Sequence, residues 1–339
     1  MIKPKYLIER LKNIDTTNLK NRVADISSKT GRNKLSVTLD ILACGIKYGA
    51  GYMDYWLFKF YEKTKKERAT YITRSINDSL VRKYNTLDAR QYFISKVLFN
   101  EKFEKYIGRE YLHTKELSYE KFESFIEKHQ TVFLKPHDQA CGLGIEKVNL
   151  ADFKNKKEMF EYATNGSFDL VEEPLIQCDK MNEIYPHAIN TIRICTLKIN
   201  EKTQVFYSAI RIGNGGKYVD NYNAGGMAAY VDSKTGIVTN TAIDRTGAIY
   251  EEHPMTKTKI VGFQVPKWDE CVKLVKQASF VVEDMGYIGW DVCITEKGPV
   301  LVEGNDFPGH DIQIPKYSGD KTGFMEIYKE ILENSEIGI

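Results

Sequence analysis

The segment Tyr287 to Gly309, YIGWDVCITEKGPVLVEGNDFPG, constrains the fold more than any other stretch of the chain. An apolar, β-rich run carrying Asp291 passes through a Glu-Lys-Gly turn into "PVLVEGN", which ends on Glu303 and, two residues on, Asn305. Side chains two apart on a strand face the same way, so Glu303 and Asn305 reach one point from one strand while Asp291 arrives from its neighbour. Three hard oxygen ligands placed this way suit Mg²⁺, which prefers carboxylates and phosphate oxygens. A surface hairpin with solvated acids is the competing reading of this stretch taken alone.

With 339 residues the chain can bury a large core, as two domains or one elaborated domain. Its net charge of +2 gives no global field for nucleic acid. The charge is uneven, however, because residues 1–70 hold 15 Lys/Arg against 7 Asp/Glu. Such a basic stretch is either a solvated helical face or a surface for an anionic membrane or an acidic partner. The six cysteines are scattered without a C-x-x-C pair, no apolar leader opens the sequence, and no run of eighteen apolar residues occurs. Reduced thiols, a cytoplasmic location and no membrane span are the expectations.

Residues 1–95 read as mainly helical. LIERLKNI has apolar positions at helical spacing, and Tyr52, Tyr55, Trp56, Phe58, Phe60 and Tyr61 crowd around Met53 and Leu57. That aromatic cluster is either the interior of a helical subdomain or an amphipathic face laid on a membrane or partner. Beyond it, "VLFNEKFEKYIGREYLH" suggests a helix with Asn100 as N-cap and Lys102 in its first turn. A helix over Tyr119–His129 follows. "TVFLKPHDQACGLGIEKVNL" then reads as a hairpin whose first strand closes on Lys135 and whose tip carries Gly142 and Gly144, able to lay an ammonium and backbone N–H groups over phosphates. In "FDLVEEPLIQCDK" a strand breaks into a hinge that can expose backbone groups to an adenine edge, with Asp179 placed to accept from ribose hydroxyls.

From Asn190 the pattern is β. "NTIRICTLKI", "QVFYSAIRI" and "MAAYVD" are strands, and Arg193 and Arg211 stand among apolar residues of the first two. A buried arginine needs an anion, supplied either by a phosphate or carboxylate ligand or by a structural ion pair. "GNGGKYVDNYNAGGM" reads as a mobile loop near the site. A helix from Lys267 to about Met285 and an amphipathic tail, "FMEIYKEILEN", complete the chain.

In this order, Lys102, "FLKP", "VEEPLIQ", "NTIRICT", "NYNAGG", "GWDV" and "LVEGNDFPG" resemble the ATP-grasp superfamily over roughly residues 97–335. The likeness is to its sugar-transfer-associated, surface-polysaccharide branch, an N-terminal motif of which "GYMDYWLFKFY" is similar to. The resemblance implies an α+β fold of two lobes gripping ATP, after a helical N-terminal region 1–95. The small lobe with the phosphate loop would span 96–172, and the large lobe with the Mg²⁺ site 173–335. It implies that Lys102 and Lys135 contact ATP phosphates, with Gly142 and Gly144 in the phosphate loop. Glu172 and the backbone near Leu175 would hold adenine, and Asp179 the ribose. Asp291, Glu303 and Asn305 match the Mg²⁺ ligands, and Arg193 and Arg211 the arginines for the γ-phosphate or acyl phosphate. Two departures stand out. The phosphate loop has only two glycines, and Gly289 lies where the cell-wall dipeptide ligases carry a catalytic arginine, which leaves that role to Arg211 or Arg193.

The implied activity is an ADP-forming carboxylate-amine ligase, using ATP and Mg²⁺ and passing through an acyl phosphate. Its substrates would be a small carboxylate and an amine, an amino acid or sugar acid destined for a surface glycan. A kinase acting on an amide or hydroxyl is the first alternative. A non-catalytic module recruited to a membrane glycosyltransferase through residues 1–95 is the second. On the ligase reading, Glu303→Gln or Asp291→Asn removes turnover and leaves the fold intact.

Overall fold

Side-chain caps recur through the first third of the chain, and they set its helices. Asp15, Asn33, Thr64, Thr86 and Ser95 each accept a hydrogen bond from a backbone N–H of the turn they precede. In the computed structural model, which describes residues 15–136, 144–216, 220, 225–313 and 321–336, the result is a run of helices up to residue 95. The aromatic cluster is the interior of this region. Tyr55, Phe58 and Phe60 are buried, and the Phe58 and Phe60 rings lie 5.0 and 5.4 Å from Tyr71.

Two sequence expectations fail here for identifiable reasons. Ser95, not Asn100, caps the next helix, which spans Lys96–Lys102; Lys102 is therefore in its last turn, and Asn100 is a buried interior residue. The helix expected over 267–285 spans only Trp268–Ala278. Beyond it, Lys198 draws in the carbonyls of Ser279, Val282 and Glu283, at 3.1, 3.4 and 2.7 Å, which a continuing helix would have needed for itself.

Two antiparallel sheets follow the helices. The smaller has the order β1-β4-β2-β3, built from β1 (Tyr111–His113), β2 (Thr131–Lys135), β3 (Glu146–Asn149) and β4 (Leu170–Glu172). β2 and β3 form the expected hairpin, with Leu134 opposite Glu146. Helices Tyr119–Lys128 and Lys156–Ala163 bury Phe122, Ile126 and Met159 against its Val132, Leu134 and Val171.

The larger sheet comprises β5 (Ile192–Ile199), β6 (Lys202–Ile212), β7 (Met227–Val231), β8 (Ala242–Asp244), β9 (Ile249–Tyr250), β10 (Tyr287–Thr295) and β11 (Gly298–Asn305), ordered β11-β10-β5-β6-β7-β8-β9. β10 and β11 are the hairpin read from the sequence. Trp290 on β10 meets Phe93 and Phe103 edge-on at 5.9 and 5.5 Å, joining the sheet to the preceding helices.

The helical region is bolted to this hairpin by buried amides. Asn85 donates to the carbonyls of Tyr287 and Asp306, at 2.7 and 2.9 Å, and accepts from the N–H groups of Gly286 and Tyr287. Asn77 donates to Pro308 O and accepts from the Tyr287 hydroxyl. Gln313 pairs with both backbone groups of Ile72, and His310 pairs with Asp54 at 2.8 Å. Burying an amide unpaired costs about 1–3 kcal/mol, so these fully paired amides fix the geometry strongly. The five described cysteines are free and buried, and no described helix is long and apolar enough to cross a membrane.

Candidate active site

The floor of the site is the meeting of β5, β10 and β11. Asp291 lies opposite Arg193 on one side and opposite Glu303 on the other, just before a register shift in β10. Arg193 grips its carboxylate with two bonds, Nε to Oδ1 at 2.5 Å and Nη2 to Oδ2 at 2.9 Å. Arg211, from β6, adds Nη1 to Oδ2 at 2.9 Å and approaches Asp220 Oδ1 at 3.6 Å. The two arginines therefore have their anion within the chain. Burial alone would raise the Asp291 pKa, but the two guanidiniums overcome it and hold the group well below the usual carboxylate range.

Glu303 is in the opposite state. It faces solvent at residue level, yet the crowded floor and then the Asp291 charge push its pKa up. Two carboxylates this close ask for a cation or a shared proton. Asn305 spends its amide N–H on Gly289 O at 3.1 Å, which leaves its side-chain oxygen as an acceptor. Asp291, Glu303 and Asn305 thus fit a hard dication by donor type. Glu303 and Asn305 carry the more available oxygens, since those of Asp291 are already held by arginines.

Gly289 explains part of this arrangement. A Cβ built there would lie 3.5 Å from Arg193 Cδ and 3.6 Å from its Nη1, so a longer side chain at 289 would enter space that Arg193 fills. Arg193 covers, from the neighbouring strand, the position next to Asp291.

The smaller sheet contributes Lys135, at the end of β2, in an ion pair of 2.5 Å with Glu172 of β4. Glu172 is 2% exposed and also accepts from Asn100 Nδ2 at 2.8 Å and Arg109 Nε at 2.9 Å. Burial is outweighed by Arg109 and Lys135, so the Glu172 pKa falls to about 2. Arg109 reaches further, donating to the carbonyls of Leu301 and Val302 on β11 at 2.8 and 3.1 Å. Burial lowers the Lys135 pKa, while Glu172 and Glu303 act to raise it, which places this lysine in the same field as the carboxylates of β11.

Direct contacts thus bring together Arg193, Arg211, Asp291 and Glu303, with Asn305 on the same strand and Lys135 facing them from the other sheet. Leu175 is half-buried in the extended segment after β4, and Asp179 is exposed at the start of the short helix Asp179–Asn182, its N–H bonded to Glu296 at 2.8 Å. Gly144 is exposed in a left-handed conformation, φ +67, just before β3, and Gly142 lies outside the described residues. Lys102 is exposed above the Tyr92 ring at 5.3 Å. The lysine that the fold brings to the hairpin is instead Lys96, whose Nζ donates to Pro136 O at 3.3 Å. Reading Ser95 as the helix cap would have pointed to it.

The loop expected to be mobile lies partly outside the described residues, at 217–219 and 221–224. Its described Asp220 accepts from the Thr191 N–H at 2.9 Å and from the Thr191 hydroxyl, which fastens the segment beside Arg211. At its start Gly213 packs so tightly that a Cβ would come within 2.5 Å of the Tyr185 ring.

The lysine at the sheet edge invites a direct test. If Lys135 contacts ATP phosphates as the resemblance implies, Lys135→Ala is expected to raise the ATP concentration needed for half-maximal turnover by at least about tenfold, with a smaller change in kcat. An unchanged dependence on ATP would remove Lys135 from the nucleotide site.

Comparison with known proteins adds the family. Its solved structural neighbours include D-alanyl-alanine synthetase A from Vibrio cholerae O1 biovar eltor, at 14% identity over 75% of this chain and 68% of that one, TM-score 0.43. Phosphoribosylamine–glycine ligase from Thermotoga maritima is 12% identical over 75% of this chain and 57% of that one, TM-score 0.45. An N5-carboxyaminoimidazole synthase from Aspergillus clavatus is 11% identical over 66% of this chain and 46% of that one, TM-score 0.42. This chain thus spans less than two thirds of the length of the last two. No curated protein matches it. The family described as sugar-transfer associated ATP-grasp matches residues 75–327, well over half of the sequence and every strand described above, and the chain belongs to that family.

Proposed function

We propose that this protein is an ATP- and Mg²⁺-dependent ligase that joins a small carboxylate to an amine, with a sugar acid or an amino acid as the acceptor class. The observation that supports the reading most is the pairing of Arg193 and Arg211 with Asp291 beside an exposed Glu303. Two guanidiniums, two carboxylates and an amide oxygen at one point suit a reaction in which negative charge arrives, moves and leaves.

Lys135 and Lys96 stand at the β2–β3 hairpin and would offset phosphate charge there. Asp291, Glu303 and Asn305 would hold Mg²⁺, which when bound neutralises phosphate oxygens that otherwise repel an incoming carboxylate. The substrate carboxylate attacks the γ-phosphorus, and ADP leaves with the electrons of the broken P–O bond. An amine then attacks the acyl carbon of the acyl phosphate, the amine loses a proton, and phosphate departs. Arg211 and Arg193 donate hydrogen bonds to the oxyanion formed between those events. Glu172, pinned by Arg109 and Asn100, orients Lys135 and fixes the start of the segment containing Leu175, whose backbone would meet the adenine.

A screen of amino acids and sugar acids, in pairs of carboxylate and amine, tests this. ADP and free phosphate are expected only when both partners are present, together with an amide product by mass spectrometry. A phosphorylated product without free phosphate would assign a kinase instead, and the absence of Mg²⁺-dependent ATP turnover across the screen would leave the non-catalytic reading.

A further inference from the structure

Helix Lys34–Tyr48 is apolar on two opposite faces, and the described residues cover only one of them. Val37, Ile41 and Cys44 point into the helical core. Leu35, Leu39, Leu42 and Ile46, spaced four, three and four apart, lie about 200° around the helix from that face. They are 67%, 57%, 46% and 73% exposed. A helix that is apolar all round belongs in an interior, so a face of this kind calls for a partner.

The charges around the stripe say which. Lys34 stands at one end and Lys47 at the other, both exposed. The Tyr48 hydroxyl donates to Lys65 O at 3.3 Å, which brings the exposed Lys65 and Lys66 to the Lys47 end. The only acid on the helix, Asp40, is already held by Arg68 at 2.8 and 3.0 Å and by the Tyr55 hydroxyl at 2.6 Å. A second copy of this helix is a poor occupant. Antiparallel pairing would set Lys34 against Lys47 of the other copy, parallel pairing would set each lysine against its own kind, and no free acid on the helix would compensate.

We infer that this face docks on an anionic membrane surface, with Leu35, Leu39, Leu42 and Ile46 entering the headgroup boundary and the terminal lysines meeting lipid phosphates. The membrane-facing element is thus not the aromatic cluster, which is spent on the core, but the helix packed beside it. Docking here leaves the Asp291–Glu303 site unused, so it stands whether or not the ligase reading holds.

Co-sedimentation of the full chain with vesicles tests it, comparing phosphatidylcholine alone with phosphatidylcholine containing about one quarter phosphatidylglycerol. Binding to the anionic vesicles, weakened by added salt and reduced at least about tenfold in Leu39→Glu/Leu42→Glu, is expected. Both substituted positions are exposed, so the variant should keep the parent's melting temperature. Three outcomes would each overturn the proposal: no binding to anionic vesicles, equal binding by the variant, or a solution dimer that the double substitution converts to monomer while the parent ignores vesicles.

Discussion

Glu303→Gln is expected to lower ATP turnover by roughly 10²–10³-fold without loss of stability, the scale on which single preorganised groups at a reacting centre act. The substitution keeps shape and removes charge. Because the crowded floor and then the Asp291 charge push Glu303 toward protonation, replacing it relieves repulsion instead of breaking a pair. Asp291→Asn is a poorer probe of the same site. The sequence reading treated the two variants alike, but Asp291 is the counter-ion of Arg193 and Arg211. Neutralising it leaves Arg193 without its carboxylate and Arg211 with Asp220 alone, at a cost on the order of 3–5 kcal/mol, so its lost activity would mix chemistry with unfolding. Steady-state turnover of Glu303→Gln at saturating Mg²⁺, alongside its melting curve, decides the matter; activity within about tenfold of the parent would exclude Glu303 as a ligand.

Arg109→Met is expected to produce the largest loss of stability, roughly 3–5 kcal/mol, or a fall in Tm on the order of 10 °C. It removes the main counter-charge of a carboxylate that is 2% exposed and frees the carbonyls of Leu301 and Val302 at the same stroke. The pH dependence carries a signature. Glu172 titrates near 2 in the folded chain, below its ordinary 4.5, so its contribution is complete above about pH 4.5 and is lost as the pH falls from there toward 2. Without Arg109 the folded pKa moves back up, and the slope of stability across that window flattens. Melting temperatures of parent and variant between pH 5 and pH 2 would show this, and parallel curves would mean that Lys135 and Asn100 suffice.

The placement of Asp291, Glu303 and Asn305 on one hairpin was legible because a hairpin is local. Asp291, Glu303 and Asn305 sit within fifteen residues of one another, and strand alternation alone fixes which of them share a side. The Lys135 hairpin was legible for the same reason, and so were five of the larger sheet's seven strands, but β8 and β9 were not read and the order of the strands was not given by local pattern. What sequence could not give is pairing across the chain. Arg193 was seen to need an anion, but whether a ligand or Asp291 supplied it depended on the β5–β10 register. Glu172 read as an adenine contact, and sequence alone did not show that its carboxylate pairs with Arg109, a residue 63 positions earlier that no motif marked. The misplaced lysine had a smaller cause. Two short helices, Lys96–Lys102 and Glu104–Ile107, were read as one, which moved the cap from Ser95 to Asn100 and the attention from Lys96 to Lys102.

The buried amides that bolt the helical region to the hairpin also order events in time. Asn85 and Tyr287 are 202 residues apart, Asn77 and Pro308 are 231 apart, and Tyr71 and Lys321 are 250 apart. A ribosome adding about 5–20 residues per second needs on the order of 10–50 s to deliver those partners. During that interval the helices hold Tyr71, Asn77 and Asn85 without the groups that satisfy them. The helical region thus waits for the later segment that closes it, and its surface in that interval is where a chaperone would act.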